Sequence, residues 1–359
     1  GTDIVAIGKS AGYYATGSYN TFVGSQAGQG GTTSAPYSSG QRNTAVGYQA
    51  LDNFTTGGSN TAIGEGALGN VNVGVSNTAL GRAAGATISN ANYTVLIGQD
   101  AGGAINSTGA NGTVVVGTYA GLALTSAAAT IAIGYSAAKV HTTGGRNIVI
   151  GYGAMMDTDA GSTSLGSQDN IFMGYEAGGG TWTDAASQYN VAIGNYAMDS
   201  ALNGAINNVA IGHTALGAVT EGDRNVAIGH GAQLYGTTAN SNVSVGNSAL
   251  YYNVTGTNNV AIGRDSMGGA SGESHSSNTA VGYASLMTIT TGTLNVAIGA
   301  NALDAVTTTT RNVAVGSGAG GGTTSSGGVF IGNFAGSAAN VDNVVLIGRD
   351  AGASVTGAG

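Results

Sequence analysis

Two histidines, His213 and His230, close two copies of the string "NVAIGH" that lie 17 residues apart. If these copies stack, the imidazoles fall side by side at a spacing that a metal ion could bridge. The matching positions in the neighbouring copies are Asn195 and Asn247. No carboxylate completes a ligand set there, so the pattern favours an exposed ladder of rings, and we expect no metal centre. The same spacing predicts that Glu65 meets Arg82 and that Tyr135 meets Tyr152. An exposed ion pair of this kind contributes at most about 1 kcal/mol. "DTDAG", Asp157 to Gly161, has the opening of a calcium loop but lacks the glutamate at its end, and an ordinary polar loop is the better reading. "GSGAGGG" is followed by no Lys-Ser or Lys-Thr and is no phosphate loop. The 17 acidic residues are scattered, and no nucleophile, base and acid fall in a recognisable order. Neither an enzyme nor a cofactor is expected.

Six Asn-x-Ser/Thr sequons are candidate glycan sites: Asn53, Asn92, Asn106, Asn111, Asn242 and Asn253. The candidate partner-binding loops are the long inserts. One, residues 29–42, carries the only proline, Pro36, beside Tyr37. A second spans residues 155–169, and a third, residues 178–189, holds the only tryptophan, Trp182. Inserts between repeats gather on one face, where solenoids often bind partners.

These residues hang on an unusual chain. Glycine accounts for 66 of 359 residues, charged residues for 7% and apolar residues for 42%. So few charges and so many apolar residues exclude a disordered chain, and one proline excludes collagen. The net charge is -8 and the only lysines are Lys9 and Lys139, which argues against a nucleic-acid partner. No apolar run approaches the roughly 20 residues of a membrane span, so no membrane insertion is expected. There is no cysteine for a disulfide or a thiolate site. The first residues, "GTDIVAIG", already form a repeat rather than a signal peptide, and we expect the chain to begin inside a longer one.

The repeat frame is Asn (in most copies), a β-branched residue, a small residue, an aliphatic residue, Gly. It occurs 20 times across residues 1–359, and ten of the 19 intervals are 17 residues. This predicts a single continuous domain, an all-β parallel β-solenoid of about 20 coils. Each frame is a short strand apolar on both faces. We expect the β-branched and aliphatic positions, including Thr21, Thr44, Thr61, Thr78 and Thr279, to fill the interior. The small position (Ala45, Ala62, Ala210, Ala261) would then face outwards and need a cover. The glycine permits a corner by positive φ or close approach. The Ala three residues later (Ala50, Ala67, Ala215) begins a second short strand or a bend with a small inward side chain. The frame Asn should stack as an amide ladder.

The strings "NVAIG" (from Asn190, Asn208, Asn225, Asn259 and Asn295), "NTAVGYQAL" (from Asn43) and "NTAIGEGAL" (from Asn60) resemble the head repeats of trimeric autotransporter adhesins, the YadA-like left-handed parallel β-roll. Similar strings occur in phage tail fibres and large bacterial surface proteins. The resemblance spans essentially the whole chain and implies a homotrimer in which each roll hides an apolar face against the other two. The dominant interval of 17 is longer than the usual head repeat, and no stalk or anchor of that family is present in these residues.

These features predict a structural fibre or adhesin shaft, at a cell surface or on a virion. It would associate with itself, as a trimer or as an end-to-end filament, and would attach to a host-surface glycan or protein. From another class comes an ice- or polysaccharide-binding solenoid, which needs a regular outward lane of threonine. The expected inward slot of the threonines speaks against it.

Overall fold

The computed structural model describes residues 2–31, 37–157, 166–183 and 185–353. Its contacts divide the chain into two units, Gly1–Gln188 and Tyr189–Gly359. Both are parallel β-solenoids. The first holds β1 (Val5–Ile7), β2 (Thr21–Val23), β3 (Thr44–Val46), β4 (Thr61–Ile63), β5 (Thr78–Leu80), β6 (Val95–Ile97), β7 (Val114–Val116), β8 (Ile131–Ile133), β9 (Ile148–Ile150) and β10 (Ile171–Met173). The second holds β11 (Val191–Ile193), β12 (Val209–Ile211), β13 (Val226–Ile228), β14 (Val243–Val245), β15 (Val260–Ile262), β16 (Thr279–Val281), β17 (Val296–Ile298), β18 (Val313–Val315), β19 (Val329–Ile331) and β20 (Val345–Ile347). A short helical turn lies at Thr108–Ala110.

Every frame is thus a strand of three residues. So short a strand has no stability alone, and stacking supplies it. Neighbours pair in parallel with like residues in register: Val209 with Val226, Ala210 with Ala227, Ile211 with Ile228. Each frame glycine ends its strand with φ near 130°, as at Gly212 (+134°). A Cβ on Gly212 would sit 2.5 Å from the carbonyl oxygen of Gly229 in the next coil. Only glycine satisfies both the angle and the approach.

After the glycine comes a run of turns, not a second strand. Gln49 and Leu51 both take φ of 53°. That conformation costs an ordinary residue about 1 kcal/mol. Here it buries the Leu51 side chain and lets the Leu51 N–H donate to Ala67 O at 2.9 Å.

The frame asparagines are buried and form the predicted ladder. Asn225 Nδ2 donates to Ala239 O (2.7 Å), and Asn225 Oδ1 accepts from the backbone N–H of Asn242 (3.1 Å). That pattern repeats through Asn259, Asn278, Asn295 and Asn312. Threonine replaces the asparagine in three coils, at Thr94, Thr113 and Thr130, and the Thr94 hydroxyl donates to Asn77 Oδ1 at 2.8 Å.

The interior reverses the expected facing of the strand. The middle residue points inwards and is fully buried, as at Ala45, Ala62, Ala210 and Ala261. The flanking positions point outwards. The interior is narrow, and its bulk comes from the opposite wall: Leu51 and Phe54, Leu68 and Val71, Leu216 and Val219. Two β-branched side chains per strand would not fit against that wall, whereas one Ala does. Where the middle residue is large, the wall gives way. Phe22, Phe172 and Phe330 each face a glycine six residues later, Gly28, Gly178 and Gly336, whose Cβ would fall 2.1–2.6 Å from the ring.

Candidate interaction face

The reversal gives both units a repeated apolar surface feature. Each strand presents its first and third side chains outwards, and these are Val, Ile, Thr, Leu or Met in all twenty strands, never charged. In the second unit the third position is Ile or Val throughout, and Ile211, Ile228 and Ile298 remain 37%, 37% and 41% exposed. The first position is half-buried in β11 to β19 and exposed in β20, at Val345. In-register pairing makes two parallel lanes, with about 4.8 Å between rungs and about 7 Å between lanes. Within each unit, such an exposed apolar strip is the kind of surface that marks a candidate interaction site. In the first unit, Thr21, Thr44, Thr61 and Thr78 are adjacent rungs of the outward first lane, opposite Val23, Val46, Ile63 and Leu80. They do not occupy the inward slot expected from the sequence.

Past the glycine corner runs a lane of polar and aromatic side chains. Tyr135 stacks on Tyr152 at 5.2 Å, as expected, and Tyr152 stacks on Tyr175 at 5.2 Å. His213 and His230 stack at 5.2 Å with their planes 5° apart. Their nitrogen lone pairs lie in parallel planes and do not converge. Among the described residues no group of three His, Cys, Asp or Glu could hold a metal ion. The expected Glu65–Arg82 pair does not form. Arg82 turns to the following coil and donates to Asp100 at 3.0 Å, where a shorter carboxylate sits closer to the guanidinium. Arg146 grips Asp169 with two bonds of 2.6 and 2.7 Å, and these hold the Asp169 carboxyl below its ordinary range.

The candidate attachment residues scatter. Pro36 and most of "DTDAG" lie outside the described residues. Asp157 accepts from the Thr181 hydroxyl at 2.6 Å. Tyr37 is exposed and stacks on Tyr14 at 5.7 Å. Trp182 is fully buried, edge-on to Phe172 at 5.6 Å, with its indole N–H on Gly178 O. Its ring is enclosed in the interior and is not presented at the surface. Asn53 and Asn106 are exposed, and Asn92 and Asn111 half-buried. Asn242 and Asn253 are buried, and both amides donate to Gly256 O. Enclosed amides have no room for a glycan, so these two sequons are not acceptors in the folded chain.

The sequence reading missed the wall of Leu and Phe opposite the strand, and two buried histidines. His141 bonds Gly144 O at 2.6 Å. His275 is 1% exposed, and neither ring nitrogen has a partner. Burial holds its imidazole down at about 4. Counting residues from each frame glycine would have found the wall.

The fold and its surface define a parallel β-solenoid with an exposed apolar sheet face. In comparisons with known proteins, no family model and no curated protein matches the chain.

Proposed function

We propose that this chain is a rigid structural element of an extracellular or virion fibre, an adhesin shaft or head, whose sheet face is covered by two further copies of itself. The observation that carries this is the double lane of exposed Val and Ile. A face of such length and uniformity suits an equally repetitive partner, and another copy in the same register supplies one. The role is mechanical, with no catalytic step. Native mass by light scattering tests it. A constant mass near three times the 34.6 kDa chain supports the reading. A mass that grows with concentration would replace it with an end-to-end filament, and a monomer at all concentrations would overturn it.

One observation favours a second reading for the first unit. The four-rung lane of Thr21, Thr44, Thr61 and Thr78 faces outwards beside an aliphatic lane. A flat, regular hydroxyl lane suits an ordered surface such as ice or a crystalline polysaccharide. Thermal hysteresis in a freezing assay, lost in Thr61→Lys, supports it, and its absence in the wild-type chain removes the ice reading.

A further inference from the structure

One stretch of the second unit breaks its own pattern. Counting five and six residues past each frame glycine gives Leu234 and Tyr235, then Tyr251 and Tyr252, then Gly268 and Gly269, then Met287 and Thr288. Backbone bonds confirm the order of the rungs: Tyr252 N–H donates to Gly268 O (3.2 Å), and Gly269 N–H donates to Met287 O (2.9 Å). Tyr235 and Tyr252 stack at 5.3 Å with planes 9° apart. Tyr251 meets both edge-on, at 5.3 and 4.7 Å. The aromatic ladder then skips one rung, because Gly268 and Gly269 carry no side chains.

The skipped rung is a cleft of about 230 Å³. Tyr251 and Tyr252 line one side and Met287 the other, with Gly268 and Gly269 between them, and Ser248 and Asp265 also line it. Tyr235 covers one face of Tyr252, so the other face turns to the skipped rung. Two rungs span about 9.6 Å. A single ring at van der Waals distance, roughly 4 Å from each wall, fits that height. Arg264 Nε donates to Asp265 Oδ2 at 3.1 Å, and Asp265 Oδ1 has no partner among the described residues. Behind the cleft stands the unpartnered His275, with Nε2 3.9 Å from where a Cβ on Gly269 would be.

We infer that this cleft binds one pyranose ring of a glycan. A sugar ring has an apolar C–H face for Tyr252 and Met287, and a rim of hydroxyls that can donate to Asp265 and Ser248. A carboxylate in the wall disfavours anionic ligands, and the open rim suits a polar edge better than a fully apolar ring. The site lies in one chain. It rests on the proposed attachment role only for its biological setting, and the mass measurement and the sugar titration fail separately.

The test is a titration of the full chain with the methyl glycosides of glucose, galactose, mannose and N-acetylglucosamine, and with phenol, read by NMR at Gly268, Gly269 and Tyr252. Saturable shifts with at least one glycoside are expected. Asp265→Asn should weaken binding about tenfold, the scale of one charge-assisted hydrogen bond. Gly268→Tyr should abolish it by completing the ladder. A Cβ there meets nothing closer than 3.4 Å, so this variant should fold, with unchanged circular dichroism as the check. Binding of phenol with none of the glycosides would overturn the sugar assignment. So would the absence of saturable shifts with any probe, or glycoside binding that survives in Gly268→Tyr.

Discussion

At the scale of single residues, stability rests on a few buried polar groups. Asn225 satisfies two backbone groups and also accepts from Gln233 Nε2 at 3.1 Å. Asn225→Ala should leave Ala239 O and the Asn242 N–H unpaired in the interior, at a cost of about 2–3 kcal/mol. Asn225→Thr should recover part of that, as Thr94 does at its own rung. Amide exchange at Asn242 is the measurement; protection that survives Asn225→Ala would show that the ladder is dispensable. His275 sets a pH dependence. Its imidazole titrates at about 4 in the folded chain, below the ordinary 6.5. The unfolded chain therefore binds more protons between these values, and stability falls as pH drops from about 6.5 to about 4, by roughly 3 kcal/mol. Exchange rates in residues 263–282 should rise over that window, and His275→Leu should flatten the rise.

At the scale of the strand and its facing turn, size complementarity decides the packing. Phe22 opposes Gly28, whereas Ala45 stands in a coil with Leu51. Gly28→Leu alone should overpack the coil by about 3 kcal/mol or more. Phe22→Ala alone should open a cavity of similar cost. The double variant recreates the Ala–Leu combination, and its denaturation midpoint should lie above that of either single variant. Strict additivity would show that the two residues do not share one space.

At the scale of the whole molecule, the proposed association would rest on the outward lanes, and charge placed there tests it. Ile211→Glu, Ile228→Glu and Ile262→Glu place charges on an exposed face, so the coils should keep their circular dichroism while the mass falls to that of one chain. If the triple variant keeps the wild-type mass, the lanes are not the interface. The Gly268→Tyr variant gives the matching control, because it alters a turn beyond the corner and leaves every lane residue in place.

The repeat makes the architecture legible in the sequence itself. A frame of five residues recurring twenty times can bury its apolar residues only by stacking, so the strands, the glycine corners, the asparagine ladder and the Tyr135–Tyr152 and His213–His230 stacks all followed from spacing. Which face of the strand looks inwards did not follow. A period-two pattern that is apolar on both faces carries no sign. The sign came from volume: Leu51, Phe54 and their equivalents on the opposite wall leave space for Ala and none for Val and Ile. Arg82 chose Asp100 over Glu65 because a side chain reaches both ways along a ladder, and spacing alone does not choose between neighbours. The skipped rung at Gly268 and Gly269 was written in the sequence as two more glycines among 66, and only the stacking of Tyr252 below and Met287 above turned them into a cleft. Sequence periodicity fixes what is repeated; side-chain volumes meeting across the coil decide which surface the repetition offers.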